Sequence, residues 1–223
     1  IATSFRADGD LEAGAEGTAI LGFVHDIAPG AQLRFANFST SLEFIAAVDF
    51  LAANSDVVID DIAWFGMQYD QSSDISSNTA SELNRPGNPI RGYYNAVGNH
   101  AQRHYQELYV DSGLDGELFV GEVGNLHPFA ATGDTTDCFD LGPNPANFVE
   151  LGPGATALII LTWDDTFGAA TTDYDLYILD NVTRDVVAFS ADNDPGLTRD
   201  PVEGVAFTNT SGGSRFYCLP FPR

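Results

Sequence analysis

Lysine is missing from this chain altogether. Its nine basic residues are all arginines, set against 32 acidic ones, for a formal net charge of -23. A field of that sign repels nucleic acid and anionic lipid, so neither is expected as a partner. No run approaches the roughly 18 consecutive apolar residues that a membrane span requires. The chain opens on Ile1-Ala-Thr-Ser, without a methionine or a charged leader before an apolar stretch. That opening fits either a processed mature start or a segment cut from something longer.

Cysteine is scarce, with two residues, Cys138 and Cys218. They bracket a β-rich stretch and suit a disulfide in a secreted protein, or else two buried thiols. The carboxylates are scattered through loops instead of gathered in runs. They suit the solvated acidic surface of a secreted or salt-tolerant protein, or cation binding by some of their number. Three glycosylation-type triplets begin at Asn37, Asn181 and Asn209, a pattern common by chance.

What remains is ample for a core. The 223 residues are 44% apolar and make one large domain or two ordinary ones. Residues 1–125 alternate helical and strand-like signals. Helical stretches are expected at 18–25, 40–53 and 75–83, and strands at 32–36, 57–59 and 90–97. Such alternation implies right-handed βαβ units and a parallel sheet.

The pattern changes between residues 120 and 128. From there, short β-branched and aromatic runs recur between Gly, Pro, Asn and Asp, at 147–151, 156–163, 174–179, 185–189, 202–208 and 215–219. The run Asp173-Tyr-Asp-Leu-Tyr-Ile-Leu alternates as a half-buried antiparallel strand does. Residues 126–223 are therefore expected to form an antiparallel, jelly-roll-like β-sandwich.

Four stretches of the first half carry more specific information: Glu16-Gly-Thr, Ile27-Ala-Pro-Gly-Ala-Gln-Leu, Ala46-Ala-Val-Asp-Phe-Leu-Ala-Ala-Asn-Ser-Asp-Val-Val-Ile, and Ala96-Val-Gly-Asn99. In that order they resemble the central segment of the subtilisin-like serine peptidases. Glu16 stands where that family has its catalytic histidine, and Asn99 matches the asparagine that donates into the oxyanion hole. A carboxylate in place of the histidine is the arrangement of the related sedolisins. Those enzymes place an aspartate four residues on, where this chain has Ile20, and use aspartate in the oxyanion hole, where it keeps Asn99. The chain is similar to a mixed subtilisin–sedolisin group.

The resemblance implies an α/β parallel-sheet subtilisin-like portion with Glu16, Asp61 and Asn99 as catalytic residues. The alignment puts Asp61 at the end of the strand bordering the substrate cleft, bringing its carboxyl toward that of Glu16. Two close carboxyls share a proton and can act as a general base at low pH. The alternative is that Asp60 and Asp61 merely cap a strand in solvent. An amide at Asn99 aimed at a developing oxyanion contributes roughly 3 kcal/mol. No serine stands in the family's nucleophile context, so the chain alone is expected to be inactive. A polypeptide substrate and a Ser-bearing second segment of the same peptidase are the implied partners, with residues 128–223 an insert ahead of that serine. The implied location is extracellular or at the cell surface.

The second half offers a separate candidate. Asp164, Asp165, Asp173 and Asp175 lie on or beside strand connections and suit calcium, which takes six to eight oxygens in loose geometry. Solvated acidic loops are the alternative. Trp163, Tyr174 and Tyr177 suit either a sugar-binding face or core packing. His100 and His104 share helical spacing but lack a third zinc ligand at a diagnostic distance. A non-catalytic module that assembles through exposed sheet edges is the competing functional reading.

Overall fold

The computed structural model describes residues 1–11, 14–98, 100, 103–110, 147–191 and 199–220. The chain divides into two compact units, residues 1–64 with 68–99, and residues 65–67 with 100–223. The boundary expected at 120–128 lies outside the described residues, as do Asn99 and Cys138.

The first unit runs β1 (Ala2–Ser4), α1 (Glu16–Ile27), β2 (Phe35–Asn37), α2 (Ser41–Ala52), β3 (Val57–Asp60), α3 (Asp74–Asn84) and β4 (Gly92–Asn95). Strand β1 pairs parallel with β2, Ala2 opposite Phe35, and β3 pairs parallel with β4, Val57 opposite Gly92 and Asp60 opposite Asn95. The expected parallel pairing is present, and among the described residues it forms two two-stranded sheets. Strand β1 had no counterpart in the sequence expectations, because three residues are too few to display a period.

Local chemistry explains where the helices begin. Thr40 caps α2 by accepting the Glu43 N–H, while the Glu43 carboxylate reaches back to the Thr40 N–H, a reciprocal capping box. Ser73 caps α3 by accepting the Ser76 N–H. Asn78 on α3 donates to Asp49 on α2 at 2.8 Å, and buried Glu82 accepts from Asn88 at 2.8 Å while pairing with Arg85. Ala52, Val58 and Ile90 form the core beneath, flanked by Leu51 and Tyr93. Gly17 in α1 is forced by proximity, since a Cβ there would stand 2.3 Å from the Phe35 ring.

The second unit is β-rich and antiparallel. It comprises β5 (Asn147–Leu151), β6 (Thr156–Thr162), β7 (Leu176–Asp180), β8 (Val186–Ser190), β9 (Val202–Thr208) and β10 (Arg215–Leu219). The order β5-β10-β7-β8 makes a four-stranded sheet, and β6 pairs with β9 along seven residues. Leu151, Ile178, Tyr217 and Leu219 of the larger sheet pack with Ala157, Ile159, Val205 and Phe207 of the smaller.

Strand β7 corrects one expectation. All five of its residues are buried, so it is not a half-buried strand. It lies between β10 and β8, with Ile178 in the core shared with β6 and β9, and Tyr177 and Leu179 in a second cluster with Cys218 on the opposite face. Tyr174 and Asp175 precede the strand.

Asn209 organises the turn between β9 and β10. Its fully buried amide donates to the carbonyls of Leu151, Gly152 and Gly213 at 2.8–3.1 Å, and its oxygen accepts from the Ser211 N–H and the Tyr217 hydroxyl.

Candidate active site at the strand ends

Ligand sites of open α/β sheets lie beyond the carboxyl ends of the strands. In the first unit those ends carry a dense polar network. Ser4, closing β1, donates from Oγ to the Asp10 carbonyl at 3.1 Å, and Asn37, closing β2, donates to the same oxygen at 2.7 Å. The Asn37 Oδ1 is buried with no donor against it among the described residues. Glu43 braces the loops around these ends by accepting the N–H groups of Ala7, Ser39 and Thr40. The Ser39 amide, with those of Ala7 and Thr40 and the Thr40 hydroxyl, holds the Glu43 carboxyl below its ordinary range against a desolvation that raises it.

The β3–β4 pair ends in a second network. The Asp60 carboxylate accepts from the Asn95 side chain and from the Ile62 N–H at 3.0 Å, and Asn95 also donates to the Ile62 carbonyl at 3.0 Å. The Ala96 N–H closes the pair onto the Asp60 carbonyl at 3.2 Å. Burial pushes the Tyr93 hydroxyl upward, and its hydrogen bond to the Asp60 carboxylate adds to that. Beside these ends Phe38, Phe44 and Trp64 stack in tilted and edge-on contacts with centroids 4.8–6.2 Å apart. The indole N–H of Trp64 is buried with no acceptor among the described residues.

The sequence-derived catalytic residues sit among these features unevenly. Glu16 is the first residue of α1, where its charge complements the helix dipole. Its side chain is exposed, as is that of Asp61, which follows β3 directly. Among the described residues neither carboxylate has a hydrogen-bond or ion-pair partner, and the two do not meet. Asn99 lies outside the described residues.

Adjacent strand residues point to opposite faces, so Asp60, not Asp61, enters the network with Asn95. Asp60, Asn95, Tyr93 and Asn37 were missed in the sequence. The available signal was the register, which sets Asp60 across from Asn95 once both strands are aligned in parallel.

The carboxylates expected to hold calcium are not gathered into a site. Asp165 spends its oxygens on the loop, accepting the N–H groups of Thr166, Thr171 and Thr172 at 2.7–2.9 Å. Those amides, Thr172 first, hold its carboxyl down at about 2. Asp175 is buried near the Tyr177 hydroxyl, and partial desolvation lifts the Asp173 carboxyl against the pull of Arg199, while Asp164 is exposed. Among the described residues no group of three or more His, Cys, Asp or Glu side chains is placed to hold a metal ion.

The aromatic trio is a packing feature. Tyr177 is buried, and Trp163 donates from its indole to the Thr172 carbonyl at 3.2 Å while meeting Tyr174 edge-on. An open groove of about 500 Å³ on the second unit is lined by Asp180, Phe207, Thr208, Thr210, Arg215 and Tyr217 among others. Its charged groups already serve each other, since Arg215 pairs with Asp180 at 2.5 Å. No helix among the described residues is long and apolar enough to cross a membrane.

No family model, no curated protein and no solved structure matches this chain.

Proposed function

We propose that this chain is the central segment of a secreted, acid-acting serine endopeptidase of the subtilisin–sedolisin type, with a β-sandwich insert. The observation that carries the reading is the coincidence of motif and element order. The Glu16-Gly-Thr segment opens a helix between two parallel strands, and the Ala96-Val-Gly-Asn99 segment leaves the end of a second parallel pair.

In the complete enzyme a serine hydroxyl from another segment forms the bond to the peptide carbonyl carbon. Glu16 takes its proton, and the oxyanion is held by the Asn99 amide. The C–N bond then breaks as the proton passes to the leaving amine, and water releases the acyl group by the same route. Asp61 is exposed, without a hydrogen-bond partner among the described residues, and is the candidate to share the proton with Glu16. Asp60 instead fixes the loop ends through Asn95.

The reading is tested by expressing the full gene and measuring casein hydrolysis between pH 3 and 7. Removing the general base by Glu16→Gln is expected to cost about a hundredfold or more in kcat. Hydrolysis unchanged by that substitution would defeat it.

A second reading, a non-catalytic assembly module, is favoured by one feature. Among the described strands β8 lies at the edge of its sheet, and its Val186, Val187 and Phe189 are 40%, 38% and 62% exposed. Exposed apolar edges recruit further strands. Sedimentation of the chain over a hundredfold range of concentration tests it, and a monomer throughout would exclude it.

A further inference from the structure

Both units carry charge of one sign and few groups to offset it. The first has 13 acidic residues against four arginines, and the second has 19 against five. Arg6, Arg85 and Arg215 pair with Asp8, Glu82 and Asp180. Arg34 and Arg91 instead give N–H groups to main-chain carbonyls, of Asn54 and of Asn88 and Ile90. Those bonds spend cations without neutralising a carboxylate.

The acidic side chains fall into two sets. Glu43, Asp165 and Asp180 accept backbone N–H groups and brace loops. Asp56, Glu150, Asp164 and Asp185 are exposed, and their carboxylates have no partner among the described residues. Charges of this second kind repel one another over the Debye length, about 10 Å at 0.1 M salt and about 3 Å at 1 M. Such repulsion destabilises the compact state, which holds the charges closer together than the unfolded chain does.

The core that opposes it is thin. In the first unit the buried apolar residues among those described are Phe44, Ala47, Val48, Ala52, Val58 and Ile90, two of them alanines. Folded chains stand only a small margin above unfolding, so a repulsion that grows as the square of the charge decides the balance.

We propose that ionic strength is a conformational switch for this chain, which is compact in molar salt and loosens in dilute buffer at neutral pH. Small cations act by screening and not by occupying a site. The switch concerns folding and not catalysis, so its success or failure is read separately from that of the peptidase.

The test is thermal unfolding of the full chain at pH 7, followed by circular dichroism, from about 0.05 to about 2 M NaCl. The melting temperature is expected to rise by about 10 °C or more across that range, with KCl equivalent to NaCl. The variant Asp56→Lys/Glu150→Lys/Asp164→Lys/Asp185→Lys brings the net charge from -23 to -15, each reversal adding two positive charges. It is expected to melt higher than the parent in dilute buffer and to keep about half of the salt dependence. All four sites are solvent-facing, and the melt in 2 M NaCl, where repulsion is screened, verifies that the variant folds as the parent does. A melting temperature that stays flat or falls with NaCl would overturn the proposal. So would an equal rise in sucrose of matched osmolality, which strengthens burial without screening charge. A rise complete below about 5 mM calcium chloride would assign the effect to a bound cation and overturn it as well. Full salt dependence in the four-site variant would separate the effect from charge, with the same result.

Discussion

Asn95 reaches back from the end of β4 to Asp60 at the end of β3, and through Asp60 and Ile62 it binds the two loops leaving the parallel pair. The loop leading to Asn99 therefore starts from a fixed point. Asn95→Ala removes two hydrogen bonds at a solvent-facing edge and is expected to cost about 1 kcal/mol. Urea unfolding checks this, and an unshifted midpoint would mean the contact adds nothing.

Tyr93 belongs to the same network, and its sign in alkali is defined. Its hydroxyl is raised above the ordinary tyrosine value, so the fold favours the neutral phenol. The stabilisation is complete below the unfolded value near pH 10 and is lost as pH rises toward the folded value. Burial raises Tyr217 as well, so ultraviolet titration is expected to find both Tyr93 and Tyr217 held back from the exposed set, and Tyr93→Phe is expected to reduce the difference from the unfolded chain by one tyrosine.

Much of the architecture was legible in the sequence because its cues are local. The capping residues around Thr40 and Glu43 announce the start of α2. The apolar stripe expected at Leu42, Ile45, Ala46, Val48, Phe50 and Leu51 misplaces its inner face, which is Phe44, Ala47, Val48 and Ala52, with Leu42 exposed. Strands β5, β9 and β10 begin and end where Gly, Pro, Asn and Ser cut the β-branched runs. Strand β7 misled, because Asp173 and Asp175 imitate an alternation that stops at Leu176, where the chain enters a strand buried on both faces. Glu16 stood out in the sequence because its motif is contiguous, and the structure places it exposed at the start of α1. The candidate site was not legible at Asp60 and Asn95, which are 35 residues apart and joined only by strand register.

Asp165 supplies an acid-side prediction. Backbone amides hold its carboxyl at about 2, below the unfolded value near 4, so the ionised form is favoured by the fold. The resulting stability is present above the unfolded value and is lost as pH falls toward 2. Asp165→Asn is expected to flatten this part of the stability–pH curve. Thermal melts of both proteins between pH 2 and 5 measure it, and parallel curves would contradict it.

Asn209 supplies the largest stability effect. Asn209→Ala strips five hydrogen bonds from a fully buried turn and leaves the Tyr217 hydroxyl and three carbonyls to find other partners. The expected cost is about 3 kcal/mol in denaturant unfolding. A cost within the ordinary surface range of about 0.5 kcal/mol would show that water replaces the amide.

The central claim is that catalysis needs a serine carried by another segment of the same protein. Denaturing mass spectrometry with peptide mapping of the protein from its native source tests it directly. The account predicts a Gly-Thr-Ser-bearing polypeptide, contiguous with this chain or co-purifying with it. A lone species at 23.9 kDa that carries no such segment would contradict it.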